Sequence, residues 1–286
     1  MTKRLWLLGA LLFTAWHGVA ITNGENMMPP AMPEGYTLAW NDEFNGKDGS
    51  APDPAKWTYD IGGDGWGNHE LEYYTSRPQN VRLEKGNLMI IARRETYKGG
   101  DGVTREYTST RLKTQGLFAQ AYGRFEARIK LPAGQGIWPA FWMLGEDIGT
   151  VGWPKCGEVD VMENIGKESA TNHGSLHGPS SSKATSDLTS SFSVPAGQRL
   201  SDDFHLYAIE WEPAAVRFYF DSKLYATFTP SQLPADGKWV YDHPFFILLN
   251  VAVGGDWPGS PDETTVFPQQ MLVDYVRVYQ KTRAKE

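Results

Sequence analysis

Hydrophobic and polar positions alternate with a period of two along much of the chain. In RFEARIKLP, Phe125, Ala127, Ile129 and Leu131 fall on one face, with Glu126, Arg128 and Lys130 on the other. VRFYFD from Val216 and VDYVRVYQ from Val273 repeat the pattern. HPFFILLNVAVGG, from His243, is instead a continuous apolar run of strand length, which predicts a strand covered on both faces. Clusters of Gly, Pro, Asn and Asp separate these runs at short intervals and read as turns. No amphipathic helical pattern reaches three turns. The best helical candidate is DPAKW, with Asp53 as N-cap and Pro54 in the first position. With no internal repeat and no change of composition regime, the pattern predicts an all-β chain folded as one antiparallel β-sandwich with curved sheets.

The N-terminus does not follow this pattern. MTKRLWLLGALLFTAWHGVA has a basic start at Lys3 and Arg4, an apolar run from Leu5 to Trp16, and small residues Gly18 and Ala20. Residues 1–20 therefore read as a secretory signal peptide, too short for a comfortable membrane span; a retained membrane anchor is the alternative. The Pro- and Met-rich stretch 21–34 reads as a linker, and residues 35–282 as one folded domain. The expected destination is outside the cytoplasm, extracellular or periplasmic, with no membrane contact after cleavage.

Net charge narrows the partners. The chain carries −7, and −9 once Lys3 and Arg4 leave with the signal peptide. An acidic surface argues against nucleic acid and against anionic polymers as substrates. A single cysteine, Cys156, allows no internal disulfide, so a protein of 286 residues must be held by its packing.

The chemistry concentrates in GEVDVMENIG, where Glu158, Asp160 and Glu163 crowd six residues of otherwise apolar sequence. In a strand, Glu158 and Asp160 share a face and strict alternation turns Glu163 away. A one-residue β-bulge restores the phase and returns Glu163 to the acidic face. Gathering like charges raises at least one carboxyl's pKa, which suits a reaction needing one ionised and one protonated carboxyl, as glycosidic cleavage does. A surface acidic patch or a calcium site is the bland alternative.

The neighbourhood favours the sugar chemistry. Trp138 and Trp142 lie upstream in GQGIWPAFWML and Trp153 in VGWPKCGE; downstream come His173 and His177 in HGSLHGP and Trp257 in VGGDWPG. Exposed indoles beside carboxylates suit the apolar faces of pyranose rings, although a tryptophan taken singly is more often core.

These motifs, together with FHLYAIEWEP and DYVRVYQ, resemble glycoside hydrolase family 16, and within it the bacterial laminarinases, which are endo-1,3-β-glucanases. The resemblance spans about Tyr36 to Gln280. It implies a concave β-jelly roll of concanavalin-like architecture, with a β-glucan lying across the inner sheet. By motif position Glu158 is implied as nucleophile, Glu163 as general acid and then base, and Asp160 as the residue orienting Glu158. The mechanism implied is retaining double displacement. The residue inserted at Met162 marks the laminarinase form, E-x-D-x-x-E, against the unbulged lichenase form.

The resemblance further implies substrate contacts at Trp138, Trp142, Trp153, His177 and Asn68, and Trp257 joins them as a further indole near the acids. No cofactor is required for chemistry, but a structural calcium is implied at Glu43, the Gly86 carbonyl and Asp274; Asp274 pairing with a nearby cation is the alternative. Asn164 and Asn172 depart from the family pattern near the acids. A mixed-linkage 1,3-1,4-glucan as substrate, or a non-hydrolytic glucan-binding protein, are the competing readings. The latter typically lacks one or both glutamates, and both are present here. Nothing in the sequence calls for an oligomer.

Overall fold

A computed structural model describes residues 33–282, so the signal peptide and most of the linker read from the sequence lie outside the described residues. Among the described residues, seventeen strands run from β1 (Tyr36–Asp42) to β17 (Gln269–Lys281). They form two stacked sheets. The front sheet has the order β12 (Ser186–Ser193), β11 (Thr171–Gly178), β10 (Glu158–Glu163), β9 (Ile137–Gly145), β16 (Phe245–Val253), β7 (Arg111–Lys113), β2 (Thr58–Asp60), every pair antiparallel. The back sheet has the order β15 (Lys223–Phe228), β14 (Ala215–Phe220), β13 (His205–Glu212), β8 (Gly123–Lys130), β17, β5 (Asn87–Lys98), β6 (Thr104–Ser109), β3 (Glu72–Tyr74). To it β1 adds at β17 and β4 (Val81–Glu84) at β5. The β3–β6 pair is parallel, the one departure from the expected antiparallel pairing. The architecture is a β-jelly roll.

Alternation explains the core between the sheets. Phe125, Ala127 and Ile129 of β8 are fully buried and meet Phe141 and Met143 of β9 and Val159, Val161 and Met162 of β10 in one apolar cluster. Their polar neighbours on β8 take the opposite face, where half-buried Arg128 pairs with Asp274 and buried Arg124 with buried Glu126. The apolar run at 245–253 is wholly buried, as expected, but for two different reasons. Ile247, Leu249, Val251 and Val253 enter the main core, while Phe246 and Leu248 form a second cluster with Leu144 and Cys156. Farther along the second face, Asn250 and Ala252 stand at a cleft rather than under a layer of protein.

Two local expectations change. DPAKW makes a single hydrogen-bonded turn, not a helix: Asp53 Oδ1 accepts from Ala55 N at 2.9 Å, and Lys56 N and Trp57 N both return to Asp53 O. Trp57 then leaves the turn to bury its ring, and its Nε1 donates to Asp42 Oδ2 at 2.9 Å, so tertiary packing ends the turn. The one α-helix among the described residues, Ile148–Val151, is a four-residue turn on the loop between β9 and β10, too short to leave a periodic signal.

Candidate active site

The acidic strand β10 sits third in the front sheet, and its register carries the expected bulge. Against β11, Glu158 pairs with His177 and Asp160 with Ser175, but Glu163 pairs with His173, one residue out of phase. Against β9 the shift falls between Asp160 and Met162. Val161 and Met162 are consecutive and both enter the core, so the extra residue is absorbed there and Glu163 rejoins the face of Glu158 and Asp160. The β9 partners of Glu158 and Glu163 are Leu144 and Ala140, four residues apart rather than five. The bulge therefore shortens the separation along the strand from about 16 Å to about 13 Å, within which two Glu side chains can lean together.

All three acids open onto a cleft of about 810 Å³ that crosses β12, β11, β10, β9, β16 and β7. Each acid has a different partner. Trp153 Nε1 donates to Glu158 Oε2 at 2.5 Å, and Trp138 Nε1 donates to Glu163 Oε1 at 3.0 Å. Asp160, only 2% exposed, has Oδ2 at 3.0 Å from His177 Nε2, while His177 Nδ1 lies 2.7 Å from Asp187 Oδ1. The remaining predicted contacts line the same cleft: Trp142, whose Nε1 donates to Asn250 Oδ1 at 2.7 Å; Asn68, whose Nδ2 donates to Glu70 Oε1 at 3.1 Å; and Trp257. Trp257 stands edge-on to Trp138 (5.6 Å between ring centres) and to His173 (5.1 Å). Gly255 makes this approach possible: its φ is +115°, and a Cβ there would come 3.1 Å from Asn68 O and 3.4 Å from the Trp138 ring.

Charge follows from burial and proximity. Burial, then the Asp160 and Glu158 charges, holds the Glu163 carboxyl well above the usual carboxylate range. Burial and then Asp160 also raise Glu158, with His177 and the Trp153 N–H working against them. Both carboxyls are raised, and their mutual repulsion opposes ionising both at once, so the pair can hold a carboxylate beside a carboxylic acid. Burial alone would lower His177, but the adjacent Asp160, then Glu158 and Asp187, push it up to about 11. His177 is therefore an imidazolium among carboxylates. Asp160, Glu163 and His177 bring ligand atoms within 4.8 Å of one another, and both imidazole nitrogens already face carboxylates.

One consequence is measurable. Trp138→Phe removes the N–H that favours ionised Glu163 while keeping an aromatic ring, so Glu163 holds its proton more tightly. The alkaline limb of the kcat/KM profile is expected to move to higher pH. An unmoved limb would disconnect Trp138 from Glu163.

The calcium set expected at Glu43, Gly86 and Asp274 lies where guanidinium groups already pair with its two carboxylates. Both oxygens of Glu43 are taken by the Arg277 guanidinium at 2.8 Å, and Arg277 in turn lowers the Glu43 carboxyl's pKa. Asp274 Oδ2 accepts from Arg128 Nη1 at 2.8 Å. Gly86 lies in the β4–β5 turn near Asn45. Each of these carboxylates already pairs with a guanidinium, which a calcium ion bound there would have to share. Asn164 and Asn172, the departures near the acids, also turn out to be structural. Asn164 Nδ2 donates to the carbonyls of Glu168 and Thr171, and Asn172 Nδ2 to the Tyr225 hydroxyl; neither lines the cleft.

Sequence reasoning missed several cleft residues. Arg111 lies over the Trp142 ring at 4.6 Å and the Trp66 ring at 4.9 Å, and pairs with Asp60 at 3.0 Å. Asp187 on β12 and Glu70 were also unseen. Asn250 carried the one available signal, a lone polar residue inside an apolar run.

Residues 68–277 match the family model described as glycosyl hydrolases family 16. The chain belongs to that family. As a family 16 glycosidase it is 45% identical over 257 residues to a beta-glucanase of Rhodothermus marinus, covering 85% of each chain. It is 35% identical to a glucan endo-1,3-beta-glucosidase of Cryptopygus antarcticus, covering 85% of this chain and 91% of the relative. Among solved structures, the laminarinase catalytic domain of Thermotoga maritima is similar with a TM-score of 0.80 and 46% identity, over 87% of this chain and 100% of that one.

Proposed function

We propose that this family 16 enzyme is an endo-acting hydrolase of internal 1,3-β-glucosidic bonds in laminarin-type β-glucans, working with retention of configuration. The observation that carries the reading is the bulged strand, which puts Glu158 and Glu163 on one face at the floor of the cleft with Asp160 between them. The named activities of the similar proteins support the substrate. Indole rings along the cleft suit the C–H faces of a neutral glucan.

In the first step a Glu158 carboxylate oxygen attacks C1 of the sugar on the non-reducing side. Glu163 gives its proton to the departing glycosidic oxygen as the old C1–O bond breaks. In the second step Glu163, now ionised, takes a proton from water, whose oxygen attacks C1. The ester to Glu158 breaks and both carboxyls return to their starting states. Two inversions leave the β configuration. Asp160, held by His177, lies beside both glutamates and helps raise the Glu163 carboxyl, so Glu163 recovers its proton readily. Trp153 and Trp138 fix the two carboxyl orientations. Lining from six strands, with the acids on an interior strand, fits binding sugars on both sides of the cleaved bond, hence endo action. A polymer of this kind is met outside the cytoplasm, which accords with reading residues 1–20 as a secretory leader.

The test is a substrate panel followed by reducing ends and viscosity. Laminarin and curdlan are expected to release oligosaccharides with an early fall in viscosity, lichenan to be cut more slowly, and agarose and carrageenan to stay intact. Degradation of another polymer with 1,3-glucan untouched would overturn the assignment.

A further inference from the structure

Two acids that the hydrolytic steps do not use lie beside the cleft: Glu70, which reaches its lining, and Glu72, behind it. Glu72 on β3 is completely buried and Glu70 is 5% exposed. Glu72 Oε2 accepts from Val253 N at 2.6 Å, while Oε1 has no partner able to donate to it. Glu70 accepts twice, from Asn68 Nδ2 at 3.1 Å and from the Tyr74 hydroxyl at 2.9 Å. From Tyr74 the connection continues: Asn250 Nδ2 donates to the Tyr74 oxygen at 3.1 Å, and Asn250 Oδ1 receives the Trp142 N–H. Arg111 is the neighbouring cation, but it is held by Asp60 and the two indole rings.

A buried carboxylate oxygen with no donor is costly, and two buried carboxylates side by side are costlier. One proton removes both problems: a protonated Glu72 turns its orphan oxygen into a donor toward Glu70. We propose that Glu70 and Glu72 form a buried proton-sharing pair that positions the cleft wall, Glu70 holding Asn68 directly and holding Trp142 through Tyr74 and Asn250. Burial, then the Glu70 charge, act in the same sense, raising the Glu72 carboxyl well above its ordinary range. Both residues are positioning residues, because neither hands a proton to the substrate. They set how well sugars away from the cleaved bond are gripped.

The glucanase reading enters only through the choice of substrate, so the experiment uses whichever oligosaccharide series the wild-type enzyme is first shown to cleave. Kinetics are compared for short and long members with wild type, Glu72→Gln, Glu72→Leu and Tyr74→Phe. A glutamine at 72 accepts from Val253 N and donates to Glu70, so Glu72→Gln is expected within about twofold of wild type in both kcat and KM. Loss of one buried hydrogen-bond link corresponds to roughly tenfold in an equilibrium. Glu72→Leu and Tyr74→Phe are therefore expected to raise KM for the long substrates about tenfold, with kcat nearly unchanged and the short substrates little affected. Should Glu72→Leu fail to fold, Tyr74→Phe, which removes one oxygen and keeps the ring, carries the test alone. Damage from Glu72→Gln equal to that from Glu72→Leu would overturn the shared proton. A loss independent of chain length, or none with Tyr74→Phe, would overturn the positioning role. Failure of the wild type on 1,3-glucans would count against the substrate assignment and leave this pair to be judged on the series it does cleave.

Discussion

Glu158→Ser is expected to lower kcat on laminarin by on the order of 10⁴-fold or more while leaving oligosaccharide binding intact. The serine oxygen cannot reach C1 as the carboxylate does, and no other carboxylate is placed to replace it: Asp160 is buried and faces His177. The fold should not suffer. Glu158 belongs to a group of three mutually repelling acids, and removing it relieves Asp160 and Glu163, so the melting temperature should hold or rise. Adding azide supplies a small nucleophile to the vacated space, and the α-glycosyl azide is the expected product, since a single displacement inverts C1. Turnover that survives the substitution would remove Glu158 from the nucleophile role.

Glu163→Gln should fall differently. Loss of proton donation costs about 10²–10⁴-fold on natural glucan, whose sugar leaving group departs poorly without a proton. A glucan oligosaccharide carrying an activated aryl leaving group needs no such help, so bond breaking to the aryl group should be nearly restored. Return of the enzyme then becomes slow, giving a burst of aryl release, because water has lost its base. Azide, which needs no base, should speed this step and give the β-glycosyl azide. Equal losses on natural and activated substrates would argue that Glu163 does not donate the proton. Opposite azide anomers from the two variants assign the two roles independently of any rate.

The features that position this site were unevenly legible in the sequence. The bulge could be read because its residues have opposite needs: three acids must share a face and two apolar residues must share the core, and only an extra residue at Val161–Met162 satisfies both. The indoles could be read because Trp138, Trp142 and Trp153 lie within twenty residues of the acids. Arg111 could not, since its role arises from β7 pairing with β16 far along the chain, which lays the guanidinium over Trp142. Asn250 was half-visible, a polar break in a run whose two faces meet different surroundings. At Glu43 and Asp274 the residue types suggested a hard cation; the guanidinium partners Arg277 and Arg128, visible in the same sequence, reach these acids only through strand pairing. DPAKW shows the reverse limit, where good capping chemistry made one turn and burial of Trp57 stopped it.

The central claim is that the bulge assembles Glu158 and Glu163 into a retaining pair. Proton NMR of wild-type enzyme acting on laminarin, recorded within the first minutes, tests it most directly. The account predicts that the β anomer of the new reducing end appears first, with the α anomer growing only at the rate of mutarotation. An α anomer at first appearance would contradict it, because it would require a single displacement by water and leave Glu158 no covalent role.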